Sequence, residues 1–338
     1  MTKTRTKLGT IARGAICTLA AAAIGSLVLA QDAAAERWRA YSYQPLATHS
    51  AIVGLERIAE AMEVATDGRL QIRVNVGGSL PFSTTDITQA VADDVVQFGA
   101  DGFFTGNIPI SGILRLPMLF NSTEEYVRAI EVMDPYIAEA LAEQGVTLLA
   151  QYFYPVQVIW SSSELRGLDD LSGMKMRVTS PEQAELVQRF GGVPVTIGAP
   201  EVAPSLQRGV VEGVFTASAG GGRIWKEMLN YNYRLGTSYF NALIIVNTEA
   251  YERLSPEERQ VLRDSSQSAA AWITEQMAAE EAQITEELAA GGMVVTEAGE
   301  EEVRIAVERM QDFWPQWAAG VGPKAEEALA KVREAIGQ

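Results

Sequence analysis

The chain has 338 residues, with 27 Lys+Arg against 43 Asp+Glu, a net charge of −16, and a single histidine and a single cysteine. So acidic a field repels nucleic acid and anionic lipid surfaces. One histidine excludes histidine-rich zinc sites, and Cys17 alone supports neither a thiolate metal site nor a disulfide framework.

The N-terminus has the pattern of an export signal. Lys3, Arg5, Lys7 and Arg13 form a basic region, Ala15 to Ala30 is almost wholly apolar, and Ala33-Ala34-Ala35 offers a small-x-small cleavage site before Glu36. The apolar run of 16 residues is short of the roughly 20 that a spanning helix needs, which favours a removed signal over an uncleaved anchor. Cys17 follows Ile16 rather than a small residue, so lipid attachment is not expected. Residues 1–35 are therefore predicted to be cleaved and the remainder to be soluble in the periplasm. Removal takes away four basic residues and Asp32, leaving a net charge of about −19. An anionic solute would be repelled at long range, so any anion site must rest on local positive groups.

From Glu36 onward strand and helix patterns alternate. Arg37 to Ser42 is predicted as a strand, followed by a helix with Ile52, Leu55, Ile58, Ala59 and Met62 on one face, ended by Asp67-Gly68. His49 stands where it would begin or cap that helix. Leu70, Ile72, Val74 and Val76 alternate with polar residues as a strand before the turn Gly77-Gly78. Ile87, Ala90 and Val91 mark a helix, Val95 to Phe98 a strand, and Ser122-Thr123-Glu124-Glu125 a capping box. Val146 to Tyr152 reads as a buried strand. The second half continues with a strand at Met174 to Val178, a helix from Pro181 to Phe190, a strand at Val193 to Ile197 and a helix from Pro200 to Gln207. Val210 to Phe215 is mixed and apolar, and Tyr239 to Asn247 is apolar and long enough to run between domains. Ser255-Pro256-Glu257-Glu258 combines an N-cap, proline at the first helical position and glutamate three after the cap. It opens a helix to about Ala290, stopped by Gly291-Gly292. A strand at Met293 to Thr296 and a C-terminal helix containing Trp314 and Trp317 complete the chain. This alternation predicts an α/β protein with open, largely parallel sheets, more naturally in two domains than one.

Catalytic constellations are scarce. A Ser-His-acid triad would have to use His49, and no Gly-x-Ser-x-Gly elbow, P-loop or Gly-x-Gly-x-x-Gly occurs; Gly220-Gly221-Gly222 is only a loop signal. The balance favours a binding protein over an enzyme.

Two blocks carry a resemblance. The first is Gly167-Leu168-Asp169-Asp170-Leu171-Ser172-Gly173-Met174-Lys175-Met176-Arg177-Val178, and the second is Glu201-Val202-Ala203-Pro204-Ser205-Leu206-Gln207-Arg208-Gly209-Val210-Val211-Glu212-Gly213. Together they resemble the signature of the solute-binding proteins of TRAP (tripartite ATP-independent periplasmic) transporters, of the C4-dicarboxylate type. Leu116-Pro117-Met118-Leu119-Phe120, Val246-Asn247 and Leu254-Ser255-Pro256-Glu257-Glu258 are similar to further family stretches. The resemblance implies a two-lobed periplasmic binding protein fold, each lobe a mostly parallel sheet flanked by helices, with interdomain strands and a long hinge-spanning helix. Lobe one would take 36–154 and 242–281, and lobe two 155–241 and 282–338.

It also implies a ligand set. The arginine matching Arg177 pairs with the solute carboxylate, a role suited to a planar fork that bonds both oxygens and keeps its charge. Gln157 stands where relatives that bind large polar acids have a second arginine, and Thr216 replaces an asparagine. Phe82 and Phe103 match polar lobe-one positions, while Tyr43 and Gln44 follow the first strand, where the family contributes a polar contact. Phe215, Trp160 and Tyr239 complete the candidate set, with Trp225 and Phe240 undecided between solute and core. One arginine among phenylalanines implies a monocarboxylate with an aromatic or compact apolar body. No cofactor or metal is needed. The expected partners are the small organic acid and the small and large TRAP membrane subunits, the expected state a monomer. A ligand sensor of the same fold, or less favourably an α/β hydrolytic enzyme, remains the alternative.

Overall fold

The computed structural model describes residues 36–338; the predicted signal segment and Cys17 lie outside the described residues. In chain order the elements are β1 (Glu36–Ser42), α1 (Ser50–Ala65), β2 (Leu70–Asn75), α2 (Ile87–Ala92), β3 (Phe98–Asp101), α3 (Thr123–Ala142) and β4 (Val146–Ser161). There follow β5 (Lys175–Val178), α4 (Pro181–Arg189), β6 (Val193–Thr196), α5 (Ala199–Gln207), β7 (Gly213–Thr216), α6 (Arg223–Trp225) and β8 (Tyr231–Asn247). The chain ends with α7 (Thr248–Glu252), α8 (Pro256–Ala290), β9 (Val294–Glu297), α9 (Glu300–Met310), α10 (Phe313–Val321) and α11 (Pro323–Ile336). Among the described residues no helix is long and apolar enough to cross a membrane.

Two long strands organise the whole. β4 and β8 run antiparallel from Val146 opposite Asn247 to Ser161 opposite Tyr231, with register shifts on both sides of the Gln157–Ser238 pair. On one half of this ribbon the order is β2-β1-β3-β8, with β1 parallel to both neighbours. On the other half β4 is followed by β7-β5-β6, while β9 pairs with the opposite edge of β8. One path of eight strands, with β9 beside it, thus contains two sheets that share the same two strands. The irregular register at Gln157 breaks ladder continuity between them, where a strand bends most easily.

Helix α8 spans the same divide. Ser255 accepts from Glu258 N at 3.1 Å while Glu258 Oε2 accepts from Ser255 N at 2.8 Å, so the predicted capping box forms. Its first half packs on α1, where Gly54 sits under Ile273 and Ala269. Its second half reaches the other sheet: Glu281 accepts from Ala219 N at 2.9 Å and Thr285 bonds Ser218 at 2.7 Å.

The structure departs from expectation at several elements. The strand predicted at Val95 to Phe98 begins instead at Phe98, because Asp94 adopts a left-handed turn and Val95 and Val96 both donate to Ala90 O. The capping box at Ser122 is half formed: Ser122 accepts from Glu125 N, but Glu125 reaches Asn121 N rather than the cap. The single C-terminal helix is three helices, with Gly322-Pro323 stopping one and starting the next.

These last helices also divide between the halves rather than joining the second. Arg309 of α9 donates to Arg189 O at the end of α4. By contrast α11 lays Ala325, Ala328, Leu329, Val332 and Ile336 inward, packs along α3, and is tied there by Arg128 Nε to Ala335 O at 2.9 Å. An amphipathic stripe seeks an apolar face, and α3 offers one.

Candidate functional site

The two sheets meet over a cavity of about 390 Å³, its mouth included. Arg177 is the cation at its wall. It lies on β5 with one neighbour on each side, and its side chain is 4% exposed. Arg177 Nε donates to Ile197 O at 3.1 Å and Nη1 to Phe215 O at 3.4 Å. Its guanidinium carbon stands 5.5 Å from the Trp225 ring and 5.9 Å from that of Phe103. Among the described residues no carboxylate lies within ion-pair distance of it. Burial pushes the guanidinium down to about 9, so it is still charged at neutral pH. A buried, charged fork held by two carbonyls and lacking an anion is costly unless an anion arrives.

The facing wall comes from β1 and β4. Tyr43 and Gln44 follow β1, Tyr154 lies on β4, and their polar ends interlock. Tyr43 Oη and Tyr154 Oη are 2.7 Å apart, Tyr152 Oη donates to Tyr43 Oη at 3.4 Å, and Gln44 Nε2 donates to Tyr154 Oη at 2.8 Å. Burial drives all three phenols well above their ordinary range, so they act as neutral hydroxyls. Phe240 and Phe103 form the apolar part of this wall, with ring centroids 5.7 and 6.2 Å from that of Tyr43. Phe103 is fixed from behind: Asp101 Oδ1 accepts its backbone N–H at 2.6 Å, and Oδ2 accepts from Thr88 N and Thr88 Oγ1. Burial raises the Asp101 carboxyl to about 6 in spite of these donors.

The floor is the turn 218–222. Thr216 Oγ1 accepts from Gly221 N at 2.8 Å, folding the segment so that Gly220 and Gly221 line the cavity beside Trp225 and Ile224. A Cβ on Gly221 would sit 2.1 Å from Trp225 Cζ3, so only glycine lets the indole lie there. Thr179 and Ala199 close the remaining side; Thr179 is held by Gln183, whose Nε2 reaches across to Ser238 Oγ at 3.1 Å.

Of the residues expected from sequence, Arg177, Gln157, Thr216, Phe103, Gln44 and Tyr43 surround the cavity. Four do not. Phe82 packs edge-on against Tyr41 at 4.8 Å. Phe215 alternates with Thr216 on β7, so its ring turns into the core while only its carbonyl meets Arg177. Trp160 is fully buried and donates to Thr216 O at 2.8 Å, bracing the floor from beneath. Tyr239 stacks on Tyr126 at 4.3 Å, and its neighbour Phe240 takes the cavity face instead. Both undecided aromatics, Trp225 and Phe240, line the cavity. Sequence reasoning missed Tyr154, whose only signal was alternation within a strand then predicted to end at Tyr152. It also missed Thr179, just after β5, and Ala199 and Ile224, in α5 and the short α6.

Other cations stay out of the cavity. Lys175 is exposed, and Arg223 pairs with Glu280 at 2.8 Å. Arg115 is buried behind Phe240, 4.0 Å from that ring, and donates through Nε to Asn241 Oδ1 at 2.9 Å. His49 also stands apart as the N-cap of α1, its Nδ1 accepting from Ala51 N at 3.2 Å.

Two sheets joined by shared strands and a spanning helix, closed over one buried cation, define a two-lobed solute-binding protein. Residues 42–320 match the family described as bacterial extracellular solute-binding protein, family 7. The chain belongs to this family, the solute-binding proteins of TRAP transporters. It is similar to the ectoine-binding periplasmic protein TeaA of Halomonas elongata, 24% identical over 92% of this chain and 94% of that protein. Among solved structures it resembles a Bordetella pertussis extracytoplasmic solute receptor binding pyroglutamic acid, at TM-score 0.82 and 24% identity, covering 90% of this chain and 100% of that one. A marine metagenome TRAP solute binding protein in complex with co-purified pyroglutamate matches at TM-score 0.82 and 24% identity, over 89% and 99% of the two chains.

Proposed function

We propose that this protein captures a small monocarboxylate with a compact apolar or cyclic body and delivers it to TRAP membrane subunits from outside the cytoplasm. The observation that carries the reading is the buried Arg177 fork without a carboxylate partner, set between aromatic rings. An incoming carboxylate would complete it with two charge-assisted hydrogen bonds. The lining is drawn in closely, with Arg177, Tyr43, Tyr154, Phe103, Phe240 and Trp225 around one small space, which favours a compact solute. With Gln157 rather than a cation on β4, a second carboxylate would be buried unpaired at a cost of several kcal/mol. Apolar contact with Phe103, Phe240 and Trp225 would instead reward a ring, at roughly 25 cal/mol per Å² covered.

In this reading residues 36–154 and 242–281 form one lobe, residues 155–241 and α9 the other, and both close on the solute. Trp225, Phe240, Tyr154 and Thr179 join Arg177, Gln157, Thr216, Phe103, Gln44 and Tyr43 as ligand-facing groups. The pyroglutamate bound by the two solved relatives is itself a compact cyclic monocarboxylate, and catalysis has no place in the scheme. Calorimetry with pyroglutamate, benzoate, lactate, succinate and glucuronate under one set of conditions tests it. The cyclic or aromatic monocarboxylates should bind at least tenfold tighter than succinate and glucuronate; tightest binding by succinate would overturn the proposal.

A further inference from the structure

The polar wall opposite Arg177 contains a second unfinished group. Gln44 is 6% exposed, lines the cavity, and spends its amide nitrogen on Tyr154 Oη at 2.8 Å. Its Oε1 is buried and has no hydrogen-bond partner among the described residues. Gln44 turns its amide nitrogen to Tyr154 Oη, which leaves Oε1 for a solute. Tyr43 Oη and Tyr154 Oη are 2.7 Å apart and either can donate; when Tyr43 donates, Tyr154 Oη accepts from both Tyr43 and Gln44 and keeps its own proton for a solute. An acceptor at Gln44 Oε1 then stands beside a donor at Tyr154 Oη.

Resting on the monocarboxylate reading above, we infer that Gln44 selects solutes carrying a neutral N–H donor away from the carboxylate, with a carbonyl beside it, as in a lactam. The edge of such a ring presents an N–H and a C=O side by side and would satisfy Gln44 Oε1 and Tyr154 Oη–H together. A solute of the same shape with an oxygen in place of the N–H sets two acceptors against each other and leaves both buried. Sites built to hydrogen-bond a ligand group reject the analogue lacking it far more strongly than apolar pockets reject a missing methylene. The donor is required to be neutral because no Asp or Glu lines the cavity, while Arg177 already supplies positive charge. A cationic amidinium or ammonium there would lack a counterion.

The test uses two isosteres, 5-oxoproline and 5-oxotetrahydrofuran-2-carboxylate, which differ only by N–H against ring oxygen, with ectoine as the cationic cyclic comparison. By calorimetry on the wild-type protein the lactam should bind roughly 10- to 100-fold tighter than the lactone, the range expected when a buried acceptor loses its partner. Ectoine should bind more weakly than the lactam. In Gln44→Met, which keeps length but not the acceptor, the lactam-to-lactone ratio should fall to within about threefold. Equal binding of the two isosteres to wild type, or tighter binding of the lactone, would overturn the inference and leave the monocarboxylate reading standing. So would tightest binding by ectoine, or a ratio unchanged in a folded Gln44→Met. Binding of neither isostere alongside tight binding of succinate would instead sink the monocarboxylate reading, and this inference with it. Because the first comparison needs no variant, a failure of Gln44→Met to fold does not protect the idea.

Discussion

Arg177 is held by backbone carbonyls of Ile197 and Phe215, not by an acid, so its alignment does not depend on the solute that it awaits. Arg177→Ala should weaken carboxylate binding by about 2–5 kcal/mol, the range for truncating one side of a buried charge pair. Arg177→Lys should be nearly as damaging, because an ammonium cannot bond both oxygens and gives up its proton more readily when buried. Calorimetry placing either variant within a few-fold of wild type would remove Arg177 from the site. His49 provides a pH-dependent counterpart. Burial, helped by Arg223, lowers its pKa from 6.5 to about 3 in the folded protein. Between those values the unfolded chain binds a proton that the native one refuses. The stability present above pH 6.5 is therefore lost as pH falls toward 3. His49→Asn keeps a capping acceptor without the titration. Wild type should lose stability relative to this variant by roughly 2 kcal/mol between pH 7 and 4.5, measured by urea unfolding at both values. Asp101, raised to about 6, titrates in both proteins and cancels. A constant difference would show that His49 is not the group responsible.

At the scale of elements, the best-signalled segments were those with local chemistry at their ends. α8 runs from Pro256 to Ala290, the limits that Ser255-Pro256-Glu257-Glu258 and Gly291-Gly292 announce, because capping groups act within a few residues of themselves. Ser255→Ala should cost about 1 kcal/mol by leaving the Glu258 N–H without its hydroxyl acceptor, while the Glu258 carboxylate keeps the backbone N–H of residue 255, read as a lower urea midpoint with unchanged slope. A stability equal to wild type would mean that water serves the cap equally well. Where an element depends on remote pairing, sequence said less. β4 was read to Tyr152 and β8 from Tyr239, yet they extend to Ser161 and from Tyr231. The missing residues are strand because they pair with one another across 70 positions or more, and with β7 and β9, and no local pattern records that.

On the scale of the whole molecule, the closed arrangement rests on close contacts between the two halves. A Cβ on Gly198, which precedes α5, would stand 2.5 Å from Thr84 Oγ1 on the opposite lobe. Gly198→Val should prop the lobes apart, weakening solute binding tenfold or more while moving the ligand-free melting temperature by less than about 2 °C, since the added bulk meets the other lobe rather than its own core. Small-angle scattering should find the variant more expanded than wild type in saturating solute; equal radii and equal affinity would refute this. Sequence by itself determined the alternation of strands and helices, the capped ends of α8, the two blocks that mark the family, and Arg177 with Tyr43, Gln44 and Thr216 at the ends of their strands. Each of these is written in residues close together along the chain. Only the tertiary structure decided which aromatic faces the cavity: Phe103, Phe240 and Trp225 rather than Phe82, Phe215 and Tyr239. Neighbouring positions on a strand point to opposite sides, so a one-residue difference in register exchanges core for cleft. It also decided that α11 returns to α3, since an apolar stripe states that a helix must be covered, not by what.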